Sequence, residues 1–442
     1  MTSERFVVLG LAHVRSNWFA QVSQWATAAA LPVDFIKCVS LDEVRARLAS
    51  GRAFSALLVD AGIVGVDRDL VDLAAQISCT TLLVDDGSLR SEWAELGVAT
   101  VLPANFDRQQ FRSVLDQHAH PIGTVTTSIP QGAEPAPAQP SAWRGRLIAV
   151  TGAGGTGTST VTMALAQGLG RDVRNRSLVL LADLALDADQ AMLHDARDIV
   201  PGVQELVDAF RHGTPAADEI RTLTFGDGRP YRLLLGLRRH RDWAVLRPRS
   251  FQAALDGLRS AFTQVVADID PDLEGEAQCG SIDVEERNLM ARTVASQADV
   301  VVVTALAGPQ GVHRLARVLG DLRELGVPDT RLLPVVNRAP RSPRSRAEIA
   351  RALADLVATR RDPDTVSALA SPLFVGEHRR IDAAIRDGLG VPSALASSIT
   401  AAVAGLTDRL ALDDASVAGA AEPVAVRPGS LGSWATSQEA AG

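Results

Sequence analysis

Lysine is almost absent from this chain. Lys37 is the only one in 442 residues, and arginine supplies the rest of the 44 cationic side chains. A composition bias of the genome accounts for such a skew. Tyrosine is equally scarce, with Tyr231 alone. The three cysteines, Cys38, Cys79 and Cys279, stand far apart. They show no metal-ligand spacing and no disulfide framework, which fits a reducing cytoplasm. No apolar stretch reaches membrane-spanning length. The N-terminal MTSERFVVLG enters a strand-like run without the charged-then-apolar order of a signal peptide. An excess of positive charge is missing too: the net charge is −8. That argues for solubility and against non-specific nucleic-acid binding, so no specific nucleic-acid partner is expected.

What is present is enough apolar material, 46% of residues, to bury real cores. The length predicts two globular units joined by linkers. Residues 121–145 are rich in proline, alanine, serine and glycine and hold no hydrophobic period, so they read as a linker. The stretch 411–442 reads as a disordered tail in which Trp434 is an isolated apolar residue. Within 1–120, strand-like runs (RFVVLGLA, VDFIKCVS, FSALLVDAG, TTLLVDD, ATVLPA) alternate with helical ones. The latter are WFAQVSQWATAAA, LDEVRARLAS, DLVDLAAQIS, SEWAELG and DRQQFRSVLDQHA. Residues 146–410 repeat the alternation on a larger scale through LIAVTG, SLVLLAD, YRLLLGL, FTQVVADID, DVVVVTAL and RLLPVVN. The fold class is therefore α/β, with two doubly wound parallel sheets.

The first unit resembles a response-regulator receiver domain, with Asp60 at the end of the third strand where a receiver is phosphorylated. The acidic residues that would hold Mg²⁺ after the first strand are replaced by Gly10, Leu11, Ala12 and His13. The lysine usual after the fifth strand is missing around Pro103, Ala104 and Asn105. Without these groups neither metal nor phosphoryl charge is stabilised. The unit reads as an atypical receiver-like domain used for interaction or dimerisation.

The sequence LIAVTGAGGTGTSTVTMALAQGL places a glycine-rich turn between a buried strand and an apolar-periodic helix. Gly152, Gly154, Gly155, Thr156 and Gly157 let backbone N–H groups turn inward, and the first amides of the helix add donors and positive dipole. Thr158, Ser159 and Thr160 follow, with Ser159 where a hydroxyl can ligate Mg²⁺. The spacing is a Walker A pattern with Thr158 in the lysine's place. The same letters satisfy G-x-G-x-x-G, with Asp183 ending the next strand, so a dinucleotide-binding Rossmann site stays open as a rival. A short-chain dehydrogenase also needs a tyrosine–lysine pair, and Tyr231 and Lys37 fall in different units.

Further acids and amides follow in order. SLVLLADLALDADQAML carries Asp183, with Asp187 and Asp189 beyond it. FTQVVADIDP has the form of a Walker B strand ending at Asp268. RLLPVVNRAP ends a strand at Asn337 and Arg338, and SPLFVGEHRRIDAAIRDG at 371–388 reads as a late turn and helix.

In this order the motifs of residues 146–410 resemble the MinD/ParA family of P-loop ATPases. The whole chain is similar to the CpaE/TadZ group of pilus-assembly proteins and to actinobacterial septum-site-determining (Ssd-like) proteins. The resemblance implies ATP or ADP with Mg²⁺ as ligand, bound at residues 152–160, with Ser159 and Asp268 on the metal. It implies Asn337 and Arg338 as the base contact and Asp183 as the acid facing the γ-phosphate and attacking water. It also implies a homodimer, protein partners in a pilus, secretion or division machine, and a cytoplasmic chain recruited to pole, septum or inner membrane face. Three departures concern charge. The family's signature lysine falls on Ala153, the Walker A lysine on Thr158 and the second aspartate of the turn on Ala185. Hydrolysis is expected to be weak or absent. A scaffold that never binds nucleotide remains the alternative.

Overall fold

The computed structural model describes residues 5–13, 16–28, 30–85, 93–122, 143–175, 178–226, 228–358 and 369–419. Most of the expected linker, and the tail beyond 419 with Trp434, lie outside the described residues.

The first unit runs β1 (Phe6–Leu11), α1 (Asn17–Thr27), β2 (Val33–Lys37), α2 (Leu41–Leu48) and β3 (Ala56–Asp60). It continues with α3 (Arg68–Gln76), β4 (Thr80–Asp85), β5 (Thr100–Pro103) and α4 (Arg108–His118). The strands pair in the order β2-β1-β3-β4-β5, all parallel. Strand β3, ALLVD, is buried along its whole length, as a parallel strand covered on both faces must be. Leu9, Leu57 and Leu83 pack on one face with Val44 and Leu70; Val8, Leu58 and Leu82 pack on the other with Trp18 and Phe111. Side chains of Ser40, Asp67 and Asp107 cap α2, α3 and α4. The stretch SEWAELG, which patterns as a helix, forms a single 3₁₀ turn at Trp93–Leu96. Gly97, at φ +88°, ends it at once.

Asp60 is a knot in this unit. Its carboxylate accepts from His13 N (2.8 Å), from Ser16 Oγ and from Trp18 Nε1 (2.9 Å). These donors fasten the β1–α1 connection to β3 and occupy both carboxylate oxygens.

The second unit opens with β6 (Arg146–Gly152), α5 (Thr158–Arg171), β7 (Val179–Leu184), α6 (Gln190–Leu193), α7 (Val203–Arg211) and α8 (Ala217–Thr222). There follow β8 (Arg232–Leu234), α9 (Pro248–Ala261), β9 (Gln264–Ile269), α10 (Glu276–Cys279), α11 (Ile282–Arg287), α12 (Leu289–Gln297) and β10 (Val300–Leu306). The last elements are α13 (Pro309–Glu324), β11 (Leu332–Ala339), α14 (Pro343–Ala358), β12 (Leu373–Gly376), α15 (Ile381–Arg386) and α16 (Ser393–Gly419). The sheet order is β12-β11-β10-β6-β9-β7-β8, every pair parallel. Parallel pairing brings the carboxyl ends of β6, β7, β9, β10 and β11 to one edge, where ligands of such sheets bind.

Two segments differ from the sequence pattern. LFVG at 373–376 is an edge strand on β11, inside the stretch that patterns as turn and helix. Four residues are too few to show a period of two. Helix α16 continues to Gly419, through nine residues of the expected tail. ALDDASVAG holds helix-favouring alanine and leucine, so α16 extends through it without a proline to stop it. Among the described residues no helix is long and apolar enough to cross a membrane.

Candidate functional site

The glycine-rich turn leaves β6 at Gly152 and enters α5 at Thr158. Gly155 (φ +78°) and Gly157 (φ +86°) take the left-handed conformation that a side chain disfavours. A Cβ on Gly154 or Gly155 would meet nothing within 4 Å. The space beside Gly154 and Gly155 is thus open, and the unpaired first amides of a 14-residue helix follow the loop.

The lysine's place is filled by hydroxyls. Thr156 Oγ1 donates to Ala153 O (2.7 Å) and Thr304 Oγ1 to Thr151 O (3.1 Å). Carbonyls only accept, so both protons are assigned. Thr158 Oγ1 lies 2.7 Å from Thr304 Oγ1 and 3.1 Å from Thr156 Oγ1, so its one proton goes into the same cluster. The loop closes on itself without a cation. Ala153 lines a cleft of about 720 Å³ with Arg292, Arg314 and Arg317, where Asp272, Glu274, Asp321 and Glu324 outnumber them. That cleft supplies no net positive charge in place of the missing lysines.

Beneath the loop, Asp183 on β7 and Asp268 on β9 are register partners, and both are buried. Gln190, fully buried at the start of α6, joins them. Its backbone N–H donates to Asp183 Oδ2 (2.9 Å), and its Nε2 donates to Asp268 Oδ2 (2.7 Å) and towards Ser159 O (3.3 Å). The Ser159 side chain is near enough to Asp268 to pull its carboxyl down. Burial raises the Asp268 carboxyl to about 6, against the pull of Gln190 and Ser159. Burial raises Asp183 well above the carboxylate range, and the charge of Asp268 adds to it. Asp183 Oδ1 and Gln190 Oε1 are buried acceptors with no donor among the described residues.

Two orphaned oxygens beside the Ser159 hydroxyl and Asp268 make an oxygen-only set, the chemistry that a hard cation such as Mg²⁺ takes. The residues therefore fit the metal. Among the described residues no group of three His, Cys, Asp or Glu could hold a metal by itself. A bound ion would draw its other ligands from hydroxyl, amide, water or phosphate oxygens.

Asn337 and Arg338 reach the same edge. Asn337 Nδ2 donates to Thr156 O (2.8 Å), and its Oδ1 accepts from Arg338 N (2.8 Å). The asparagine thus braces the loop. Arg338 sits at φ +49°, strained for a non-glycine residue, and its side chain lines an apolar cleft of about 880 Å³ between α13 and α14. Thr160 lies in the first turn of α5 beside Ser159, at intermediate exposure.

The structure brings together residues 152–160, Asp183, Asp268 and Asn337. It leaves Asp187 in solvent, 83% exposed at its side chain, with His240 Nδ1 3.0 Å away. Asp183 is 1% exposed and its carboxylate turns towards Gln190, so it presents no face to a ribose as the dinucleotide reading requires. Two residues of the site have no local signal. Gln190 looks like one more polar residue of an acidic turn, and Thr304 ends an apolar run. Only the strand order puts Thr304 behind the loop.

No family model and no curated protein matches this sequence. Solved structures do resemble it. The ParA family ATPase from Chlorobium tepidum TLS is 15% identical, covering 60% of this chain and 98% of that one, with a TM-score of 0.43. The cell division ATPase MinD from Pyrococcus furiosus is 18% identical, covering 59% and 99%, with a TM-score of 0.41. The septum site-determining protein MinD from Pyrococcus horikoshii OT3, solved with Mg-ADP, is 18% identical, covering 60% and 95%, with a TM-score of 0.41. No residue role is carried across likenesses at this level.

Proposed function

We propose that this chain binds ATP or ADP with Mg²⁺ at residues 152–160 and uses occupancy, with little or no turnover, as a positional signal. In this proposal Ser159 and Asp268 hold the metal, loop and helix amides hold the phosphates, and Asn337 and Arg338 lie against the base. The bound metal would supply charge neutralisation at the phosphates. The chain's own residues bind and orient; among the described residues none is placed to supply the cation that phosphoryl transfer needs. The observation that carries the proposal is the glycine turn, open beside Gly154 and Gly155, next to the buried Asp183–Gln190–Asp268 group with its two orphaned acceptors.

The wider role follows the resemblance stated above. It is a homodimeric, MinD/ParA-like spatial regulator, recruited through protein partners to a pilus or secretion machine, or to the septum. Equilibrium binding of labelled ATP, ADP and NAD, with and without Mg²⁺, tests the ligand. Saturable, Mg²⁺-dependent adenine nucleotide binding is expected, and no saturable ATP binding would sink the proposal. A second reading, a nucleotide-free scaffold, is favoured by one observation: the hydroxyls of Thr156, Thr158 and Thr304 already bond to one another and to Ala153 O and Thr151 O.

A further inference from the structure

Three consecutive residues of the first unit, Asp67, Arg68 and Asp69, all end on the second. Asp67 is fully buried. Its Oδ1 accepts from Leu70 N (3.1 Å), capping α3, while its Oδ2 accepts from Arg211 Nη2 (2.9 Å) and Nε (3.3 Å). Arg68 donates from Nε to Phe210 O (3.1 Å) and from Nη2 to Gly213 O (3.3 Å) and Thr214 Oγ1 (3.2 Å). Asp69 accepts from Arg249 N (2.9 Å), Ser250 N (3.2 Å) and Ser250 Oγ (2.7 Å).

The pattern matches the two helix ends it meets. The last carbonyls of α7 receive a guanidinium, and the first amides of α9 receive a carboxylate. Each charge opposes the local end of the helix dipole and fills bonds the helix cannot make internally. The two helices also touch each other further along: a Cβ on Gly257, in the C-terminal half of α9, would lie 2.1 Å from the ring of Phe210 at the end of α7. A buried acid such as Asp67 is costly unless paired, and its pair comes from the other unit.

Both helices lead back to the nucleotide turn. At the start of α7, Val203 N donates to Leu235 O (2.8 Å). The next residue, Gly236, lies so close to Asp183 that a Cβ would come within 2.8 Å of its carbonyl oxygen. Before α9, the turn at 240–245 carries His240, the partner of Asp187. The start of α7 and the turn before α9 thus connect to residues 183–190 through the segment Leu235–His240.

We propose that Asp67-Arg68-Asp69 is an intramolecular docking site whose partner is the end of α7 together with the start of α9, and that through it the first unit senses occupancy of the loop. The docking half stands on the contacts above; the sensing half rests on the nucleotide-binding proposal. Hydrogen exchange and small-angle scattering of the full chain test both. In Arg68→Ala/Asp69→Ala, exchange at the start of α9 should quicken at least tenfold and the radius of gyration should grow. Amides of β3 and β4 should stay protected, showing that the first unit is still folded. Asp69→Asn, which keeps an acceptor without the charge, should fall between. Wild-type exchange at α9 as fast as in the double variant overturns the docking.

Adding Mg-ADP to the wild type should slow exchange at 183–190 and also in α3. The double variant should keep the first effect and lose the second. Protection at 183–190 with none in α3 overturns the sensing. Protection nowhere overturns the nucleotide proposal and the sensing with it, and leaves the docking result standing.

Discussion

Asp183 and Asp268 share one amide residue: Gln190 donates its backbone N–H to the first and its side-chain N–H to the second. Two buried carboxyls on neighbouring strands, joined by a neutral group, cannot both ionise cheaply. Burial shifts both upward, and the charge of Asp268 adds to the rise of Asp183.

The first consequence is for stability. Burial pushes the Asp268 carboxyl in the folded chain up to about 6, from an ordinary value of 3.8. A raised carboxyl favours the folded state where it is protonated. Its contribution is therefore full below about pH 4, is lost as pH rises towards 6, and stays lost above. Asp268→Asn should be near neutral at pH 4. By pH 7 it should stabilise the chain by on the order of 2–3 kcal/mol. Urea denaturation of both proteins across this range measures the difference. A constant difference from pH 4 to 7 would contradict the account.

The same protons oppose a cation. Mg²⁺ needs Asp268 ionised, so Mg-ADP affinity should rise through about pH 6 and level off above it. Calorimetric titration at pH 5, 6 and 7.5 reads this directly, in two buffers of different ionisation enthalpy. Net proton release on binding at pH 5 is expected, and none at pH 7.5.

Much of this site was legible before any coordinates. The glycines at 152–157 announce the loop because only a φ-positive turn between an apolar strand and an apolar-periodic helix needs them so closely spaced. The run VVADID shows a buried strand with an acid at its end. Thr304 and Gln190 were not legible, since each is a single polar residue whose neighbours come from other strands. Asn337 was found by its place at a strand end, yet its bond to Thr156 O depends on the order β11-β10-β6, which no local pattern carries. The docking residues 67–69 read locally as a helix start, which they are; their second partners lie more than 140 residues away.

The loop glycines should divide sharply on substitution. At Gly152 a Cβ would fall 2.1 Å from Thr304 Oγ1, and at Gly157 it would fall 2.6 Å from Asn337 Nδ2 with φ at +86°. Gly152→Ala should cost about 2–4 kcal/mol and Gly157→Ala about 1–3 kcal/mol. Gly154→Ala meets nothing and should cost no more than about 0.5 kcal/mol. Gly155→Asp should fold but abolish ADP binding, because a carboxylate enters the anion cradle. Thermal melts and nucleotide titrations on the four variants separate the structural glycines from the ligand-facing ones.

The missing lysines give the last expectation. Replacing Thr158 removes only the proton that it gives to the cluster. Thr156 and Thr304 keep their carbonyl acceptors, so no donor is orphaned, and Thr158→Lys should cost less than about 1 kcal/mol of stability. Thr304→Val is different, because it strips Thr151 O of its hydroxyl donor and leaves Thr158 only the longer contact to Thr156 Oγ1. It should cost about 1–3 kcal/mol. The double change Ala153→Lys/Thr158→Lys returns two charges to the phosphate site. A charge-assisted hydrogen bond contributes roughly 1.5–3 kcal/mol, so Mg-ADP should bind at least about tenfold tighter, with a stronger salt dependence. If lysine loss alone silences hydrolysis, phosphate release from ATP should rise in the same variant. Tighter binding with unchanged release would place the block at Ala185 and the Asp183 turn instead.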